Sequence, residues 1–120
     1  MVTTILLVDD DEDSLRPFQL LLEREDYRVI LARSGTEALA QISQHAVALM
    51  ITDWSMPGMD GVTLCRTLRA HPVHHWVPIV FLSSAKAPTE QGLWNVSFLK
   101  PVSWPAVAQA VRSLLEAPRP

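Results

Sequence analysis

The chain has 120 residues, of which 48% are hydrophobic and 19% are charged, and its formal net charge is −3 at pH 7. This length and composition indicate one globular domain and exclude a disordered segment. The ten Lys and Arg residues do not cluster, which argues against nucleic-acid binding. No apolar run is long enough for a membrane span or placed as in a signal peptide. A single cysteine, Cys65, rules out an internal disulfide and indicates a reducing, cytoplasmic compartment.

Strand-like apolar runs alternate with segments of helical periodicity in the first half of the chain. The first predicted strand is residues 4–8, and the helix after it has Ser14 as its predicted N-cap and Pro17 in its first turn. A second strand is predicted at 28–32. Residues 34–37 match the S-x-x-E pattern of a capping box, so a second helix should begin there.

The second half of the chain continues this alternation, with predicted strands at 46–52, 79–82 and 96–99. Asp60 and Ser103 are the predicted N-caps of the helices that follow the third and fifth strands. The segment 84–95 has little helical periodicity, so we expect at most a shortened fourth helix there. Alternation of this kind predicts an α/β fold with a parallel sheet, right-handed crossovers and helices on both faces.

Polar side chains stand where four of the predicted strands end. They are Asp9, Asp10, Asp53, Ser83 and Lys100. In an open parallel sheet the carboxyl ends of the strands meet at one edge, and that edge is where sites are built. Three carboxylates beside one ammonium group predict a divalent cation and a phosphoryl group at this edge.

Four motifs are similar to those of a known family: ILLVDD at 5–10, TDWSMPGMDG at 52–61, PIVFLSS at 78–84 and FLKP at 98–101. Over nearly its whole length the chain resembles a response-regulator receiver domain of two-component signalling, of the chemotaxis-regulator type. The resemblance implies a flavodoxin-like, doubly wound sheet of five parallel strands in the order 2-1-3-4-5. We expect the domain to span residues 1–116, with 117–120 as a tail or the start of a linker.

The resemblance also assigns roles to the acidic residues. Asp53 matches the phosphoacceptor of the family, and Asp9 and Asp10 match the acidic pair that holds Mg²⁺, with Mn²⁺ as an alternative ion. The backbone carbonyl of Ser55 matches a further metal ligand. The implied metal set is therefore Asp9, Asp10, Asp53 and the Ser55 carbonyl.

Two other residues complete the implied catalytic group. Lys100 matches the lysine that contacts the phosphoryl group, and Ser83 stands where the family has Thr or Ser. Pro101 matches a residue whose preceding peptide bond is usually cis. Ser97 occupies the position of an aromatic switch residue, so the chain departs from the family pattern there.

The implied function is that of a signalling domain rather than an enzyme with a separate substrate. The domain would catalyse its own phosphorylation, from a phosphohistidine of a histidine kinase or histidine phosphotransfer protein, and its own dephosphorylation. Phosphorylation in this phosphorelay would switch a surface toward an output partner, with no contact to nucleic acid or membrane. Formation of a homodimer is a further possibility, with Trp94 and Trp104 as candidates for an apolar contact.

Two alternatives belong to other functional classes. A receiver-like interaction module with atypical or phosphorylation-independent output is favoured by Ser97 and by the short segment between Ser83 and Lys100. A Mg²⁺-dependent phosphatase is disfavoured because its D-x-D-x-T signature is absent after Asp9. His71, His74 and His75 are interpreted as loop residues rather than a metal cluster, and Cys65 as a small buried hydrophobe.

Overall fold

The computed structural model describes residues 2–86, 88 and 92–118. These residues form five strands: β1 (Thr4–Val8), β2 (Arg28–Ala32), β3 (Leu49–Asp53), β4 (Ile79–Ser83) and β5 (Val96–Leu99). They also form four helices: α1 (Glu12–Arg24), α2 (Gly35–Gln44), α3 (Gly61–Arg69) and α4 (Trp104–Glu116). All strand pairs are parallel, in the order β2-β1-β3-β4-β5. The predicted flavodoxin-like topology is therefore confirmed.

Helices cover both faces of the sheet because side chains alternate between the faces along each strand. On one face, Leu6, Met50 and Phe81 pack with buried residues of α2 and α3. On the other face, Leu7 and Val80 pack with buried residues of α1 and α4. No helix in the described part of the chain is both long and apolar enough to cross a bilayer.

The predicted start of the first helix is wrong. Asp11 is the N-cap, since its Oδ1 accepts the backbone N–H of Asp13 at 3.0 Å, and α1 begins at Glu12. Ser14 instead lies within the first turn and donates its hydroxyl to Oδ2 of Asp11. Pro17 consequently falls in the second turn rather than the first. The acidic first turn favours this earlier start, because carboxylates stabilise the positive end of the helix dipole.

The other predicted N-caps hold, with one difference in chemistry. Ser34 Oγ accepts the N–H of Glu37 at 3.0 Å, and Asp60 Oδ1 accepts the N–H of Thr63 at 2.8 Å. Ser103 occupies the N-cap position of α4 but makes no side-chain capping bond. Pro105 stands in the first turn of α4, where its fixed φ is compatible with a helix start.

The third strand begins three residues later than predicted, at Leu49 rather than residue 46, and ends one residue later, at Asp53. Val47 is buried, but its N–H bonds to the carbonyl of His45 in a turn. Pairing with β1 starts only at the Ile5–Leu49 pair. The apolar run thus begins before β3, because Val47 is buried but its N–H bonds within the turn and not to β1.

Between β4 and β5 the described residues contain no helix, and residues 87 and 89–91 lie outside the described residues. The expected shortened helix therefore has no described counterpart. Trp94 covers this part of the sheet instead, since its ring stacks on that of Phe81 with centroids 4.2 Å apart and planes at 15°. An aromatic side chain thus packs here against β4.

Candidate functional site

The acidic residues meet at the carboxyl edge of the sheet because β1 and β3 are neighbours in register. Val8 pairs with Thr52, which places Asp9 and Asp53 side by side where the two strands end. The N–H of Asp9 bonds to the carbonyl of Ala32, so the backbone stays in the ladder beyond β1. Sheet pairing therefore brings together two aspartates that are 44 positions apart in the sequence.

Three carboxylates form a cluster at this edge. Asp9, Asp10 and Asp53 each contribute an oxygen, and these oxygens all lie within 4.8 Å of one another. Asp9 and Asp53 are buried, whereas Asp10 is exposed. Hard oxygen donors with one open side are the ligands that Mg²⁺ takes, because this ion keeps several waters. The acidic cluster could thus hold a metal ion.

Lys100 is the cation of the site. Its Nζ lies 2.5 Å from Oδ1 of Asp53 and 3.9 Å from Oδ2 of Asp9. The backbone N–H of Lys100 donates to the carbonyl of Ser83 at 2.7 Å, which continues the β4–β5 pairing to this residue. The Lys100–Pro101 peptide bond is cis, as the resemblance implied. The ammonium group therefore reaches Asp53 from two strands away.

Burial of the cluster changes the acidity of Asp9. Loss of solvent around its carboxyl group raises its pKa to about 6, and the nearby Asp53 charge and the hydrogen bond with Asp10 act in the same direction. The Asp11 N–H, which donates to Asp9 Oδ1 at 3.0 Å, and the Lys100 charge act in the opposite direction. Charge on Asp9 is therefore costly in the metal-free protein.

Ser83, the last residue of β4, and Ser55, in the loop after β3, differ in their surroundings. Ser83 is buried at the end of β4, and its hydroxyl donates to the carbonyl of Ala85 at 2.5 Å. Ser55 is exposed in the loop after β3, two residues beyond Asp53. The serine hydroxyl at 83 is thus held by the loop after β4.

Gly61 supports the site although its role was not predicted. Its N–H donates to the carbonyl of Trp54 at 2.8 Å, and a Cβ built on it would lie 2.3 Å from the carbonyl oxygen of Asp53. Only a residue without a side chain lets α3 begin this close to the backbone of Asp53. The sequence signal for this role was a glycine at the first helical position, directly after the N-cap Asp60. Other residues have higher helix propensity there, so a glycine indicates a steric requirement.

His71, His74 and His75 lie away from the cluster, in the connection between α3 and β4. Nδ1 of His71 accepts the N–H groups of Val73 and His74 at 3.0 Å, as in a structural turn. Cys65 is fully buried on the core side of α3, and burial raises the pKa of its thiol to about 12. The interpretations as loop and core residues therefore agree with their positions.

Comparison with known proteins identifies the family. The family model described as the response regulator receiver domain matches residues 5–94. The transcriptional regulatory protein GlrR of Escherichia coli K12 is 37% identical over 123 residues, which cover 97% of this chain and 27% of that protein. The response regulator PleD of Caulobacter vibrioides is 35% identical over 119 residues, which cover 95% of this chain and 26% of that protein. This chain thus spans about a quarter of the length of these relatives.

Solved structures of response regulators and receiver domains have the same fold as this chain. The crystal structure of a putative response regulator from Chloroflexus aurantiacus superposes with a TM-score of 0.89 at 32% identity, covering 98% of this chain and 100% of that one. The signal receiver domain of a signal transduction histidine kinase from Syntrophus aciditrophicus gives 0.88 at 28% identity, covering 95% and 90%. With its fold and its acidic edge, this chain belongs to the response regulator receiver domain family.

Proposed function

We propose that this domain accepts a phosphoryl group on Asp53 from a phosphohistidine of a histidine kinase or a histidine phosphotransfer protein. The observation that carries the proposal is the convergence of Lys100, Asp9 and Asp10 on the buried Asp53 carboxylate. The family membership supports the same donor class, since one structural relative is the receiver domain of a histidine kinase.

In the proposed transfer, a carboxylate oxygen of Asp53 forms a bond to phosphorus while the bond from phosphorus to the imidazole nitrogen breaks. The leaving imidazole then takes up a proton. Transition states of this kind are loose, so positioning and charge stabilisation provide most of the catalysis. The position of Asp53 is set by β3, which is buried along its length.

The donor set at this edge fits Mg²⁺. Asp9, Asp10 and Asp53 would hold the ion, together with the carbonyl of Ser55, and Mn²⁺ would suit the same oxygens. When bound, the ion would neutralise charge on the acids and on the incoming phosphoryl oxygens.

Lys100 and Ser83 are the proposed partners of the transferred phosphoryl group. The ammonium of Lys100 contacts Asp53 and would move to a phosphoryl oxygen as a point charge. The Ser83 hydroxyl would give up its bond to the Ala85 carbonyl and donate to another oxygen. That exchange would bias a two-state equilibrium of the loop after β4, which is how phosphorylation would reach a partner surface.

The rate of hydrolysis of the acyl phosphate should not be unusually fast. The positions two residues beyond Asp53 and Ser83, which flank the path of water in this family, carry the small residues Ser55 and Ala85. Neither side chain is suited to position an attacking water strongly. A phosphoaspartate that survives only seconds in the presence of Mg²⁺ would contradict this part of the proposal.

The test is phosphorylation by a small-molecule donor in the presence of Mg²⁺, followed by intact mass. We expect wild type and the control Asp13→Asn, an exposed acid outside the cluster, to gain one phosphoryl mass. Asp53→Asn should gain none. An equal gain in all three proteins would exclude Asp53 as the acceptor.

A second candidate is a receiver-like module whose output does not depend on phosphorylation. It is favoured by exposed Ser97 on β5 and by the lack of a described helix between β4 and β5. Light scattering before and after phosphorylation separates the two candidate functions, because it measures whether the protein associates. A mass gain without any change in association or in partner capture supports the second candidate. In either case we place the domain at 1–116, in the cytoplasm, with output through other domains or proteins.

A further inference from the structure

A second concave site lies at the opposite, amino-terminal edge of the sheet. This basal cavity has a volume of about 480 Å³, and its walls include Ala48, Arg69, Trp76, Pro78, Trp94 and Leu115. These residues come from the position just before β3, the end of α3, the approach to β4, the β4–β5 segment and the end of α4. The cavity is therefore built by tertiary packing and is separate from the acidic cluster.

Among the described residues that line the basal cavity, Arg69 is the one with a permanent charge. Its Nε donates to the carbonyl of Gly92, and its Nη1 donates to the carbonyls of His75 and Val77 at 2.8 and 2.6 Å. Its Nη2 donates to Oδ1 of Asn95 at 2.9 Å. These four acceptors are neutral oxygens. The side chain is thus held in place without an acid among them, and Nη2 keeps a second N–H.

The electrostatics of the cavity favour a negative ligand. No carboxylate is among the described residues that line it, so this described wall offers the Arg69 charge no acidic partner. Arg69 is partly buried, and loss of solvent lowers its pKa. A cation that is partly desolvated and fixed in position attracts an anion more strongly than one in water. The second N–H of Nη2 is left to donate to one carboxylate oxygen of such an anion.

The remaining walls favour an apolar body on that anion. Trp76, Trp94, Pro78 and Leu115 line the cavity with aromatic and aliphatic surface. Its volume lies within the range of about 300–1,000 Å³ that small-molecule sites occupy. We propose that the basal cavity binds a small aromatic carboxylic acid, with the carboxylate at Arg69 and the ring against the tryptophan and leucine walls. This inference does not depend on phosphorylation of Asp53.

Two probes matched in shape test the charge requirement, namely 1-naphthaleneacetate and its neutral amide, 1-naphthaleneacetamide. Binding to the full chain is measured by calorimetry and by ligand-observed NMR. We expect the acid to bind about tenfold more tightly than the amide, since one charge-assisted contact contributes roughly 1.4 kcal/mol. Equal affinity for the two probes would overturn the proposal, as would no binding of the acid up to about 10 mM.

Two matched substitutions test the location. Leu115→Trp should fill the cavity and abolish binding of the acid, whereas Leu20→Trp should leave binding unchanged, because Leu20 is 57% exposed on α1 and outside the cavity. If Leu115→Trp still binds the acid, the acid binds outside the basal cavity and the proposal is wrong. Circular dichroism is the check that both variants fold.

Arg69→Gln tests the role of the cation directly. This variant should bind acid and amide within about twofold of each other, since the charged contact is gone. A preserved tenfold preference for the acid would assign the selectivity to another group and overturn the assignment to Arg69. If this variant does not fold, the comparison of Leu115→Trp with Leu20→Trp still tests whether the acid binds in the basal cavity.

Discussion

The ammonium of Lys100 lies 2.5 Å from Oδ1 of Asp53, and this contact joins the ends of β5 and β3 across the end of β4. The contact holds a positive charge beside the carboxylate that we propose as the phosphoacceptor. It also offsets part of the repulsion among three neighbouring acids. The same lysine therefore serves the metal-free protein and the proposed chemistry.

Lys100→Met should slow phosphorylation of Asp53 by about 10²-fold, because removing one preorganised charge from a transition state costs this much in comparable sites. The methionine keeps most of the volume and removes only the charge. The rate of mass gain with a small phosphodonor measures the effect. Lys86→Met, in the exposed loop after β4, is the matched control and should retain the wild-type rate. Equal rates in the two variants would contradict the role of Lys100.

Asp9→Asn should stabilise the metal-free protein in a pH-dependent way. The pKa of Asp9 is about 6 in the folded state, above its ordinary value of 3.8, so folding takes up protons between these values. The stability of wild type should therefore fall as pH rises through this window. Asparagine keeps an acceptor for the Asp11 N–H, so only the charge is removed.

The stability gain of Asp9→Asn should be largest above pH 6, at about 1–3 kcal/mol, and should shrink toward pH 4. Urea unfolding in a chelator at pH 4.5 and pH 8 measures it. Asp13→Asn, an exposed acid of α1, should show no such dependence. A gain that is the same at both pH values would rule out buried charge as the cause.

Magnesium should raise the melting temperature through the acidic cluster. At ten times the dissociation constant the ion stabilises the folded state by about 1.4 kcal/mol, and Asp10→Asn should lose most of this effect. Thermal unfolding with Mg²⁺ and with a chelator gives the difference. The control Asp13→Asn should keep the full shift, since Asp13 lies outside the cluster. An undiminished shift in Asp10→Asn would show that the ion binds without Asp10.

Gly61→Ala should destabilise the fold by about 1–3 kcal/mol, because its Cβ would meet the backbone carbonyl of Asp53 at 2.3 Å. Gly35→Ala is a matched helix-start control, since the atoms nearest to its Cβ belong to the side chain of Met59, with Sδ at 2.7 Å, and this side chain can move. That variant should change stability by less than about 1 kcal/mol. Urea unfolding of both proteins measures the difference, and equal costs would show that the contact with Asp53 can relax freely.

Local patterns in the sequence predicted much of this protein. The alternation of apolar runs and helical periods indicated a parallel α/β sheet, and polar residues at strand ends indicated where Asp9, Asp53 and Lys100 would meet. These signals are readable because each depends on neighbours a few residues apart. Ser14 shows the limit of these local signals. Asp11 and Ser14 are both suitable N-cap residues three positions apart, and the helix begins after Asp11.

Tertiary structure decided what depends on residues far apart in the chain. The raised pKa of Asp9 comes from burial and from Asp53, and the need for glycine at position 61 comes from the approach of α3 to β3. The neutral partners of Arg69 likewise belong to two separate segments, the connection between α3 and β4 and the segment between β4 and β5. The sequence alone thus determined which chemical groups are present and in what order. Packing determined their distances and their solvation, because electrostatic energies depend on both.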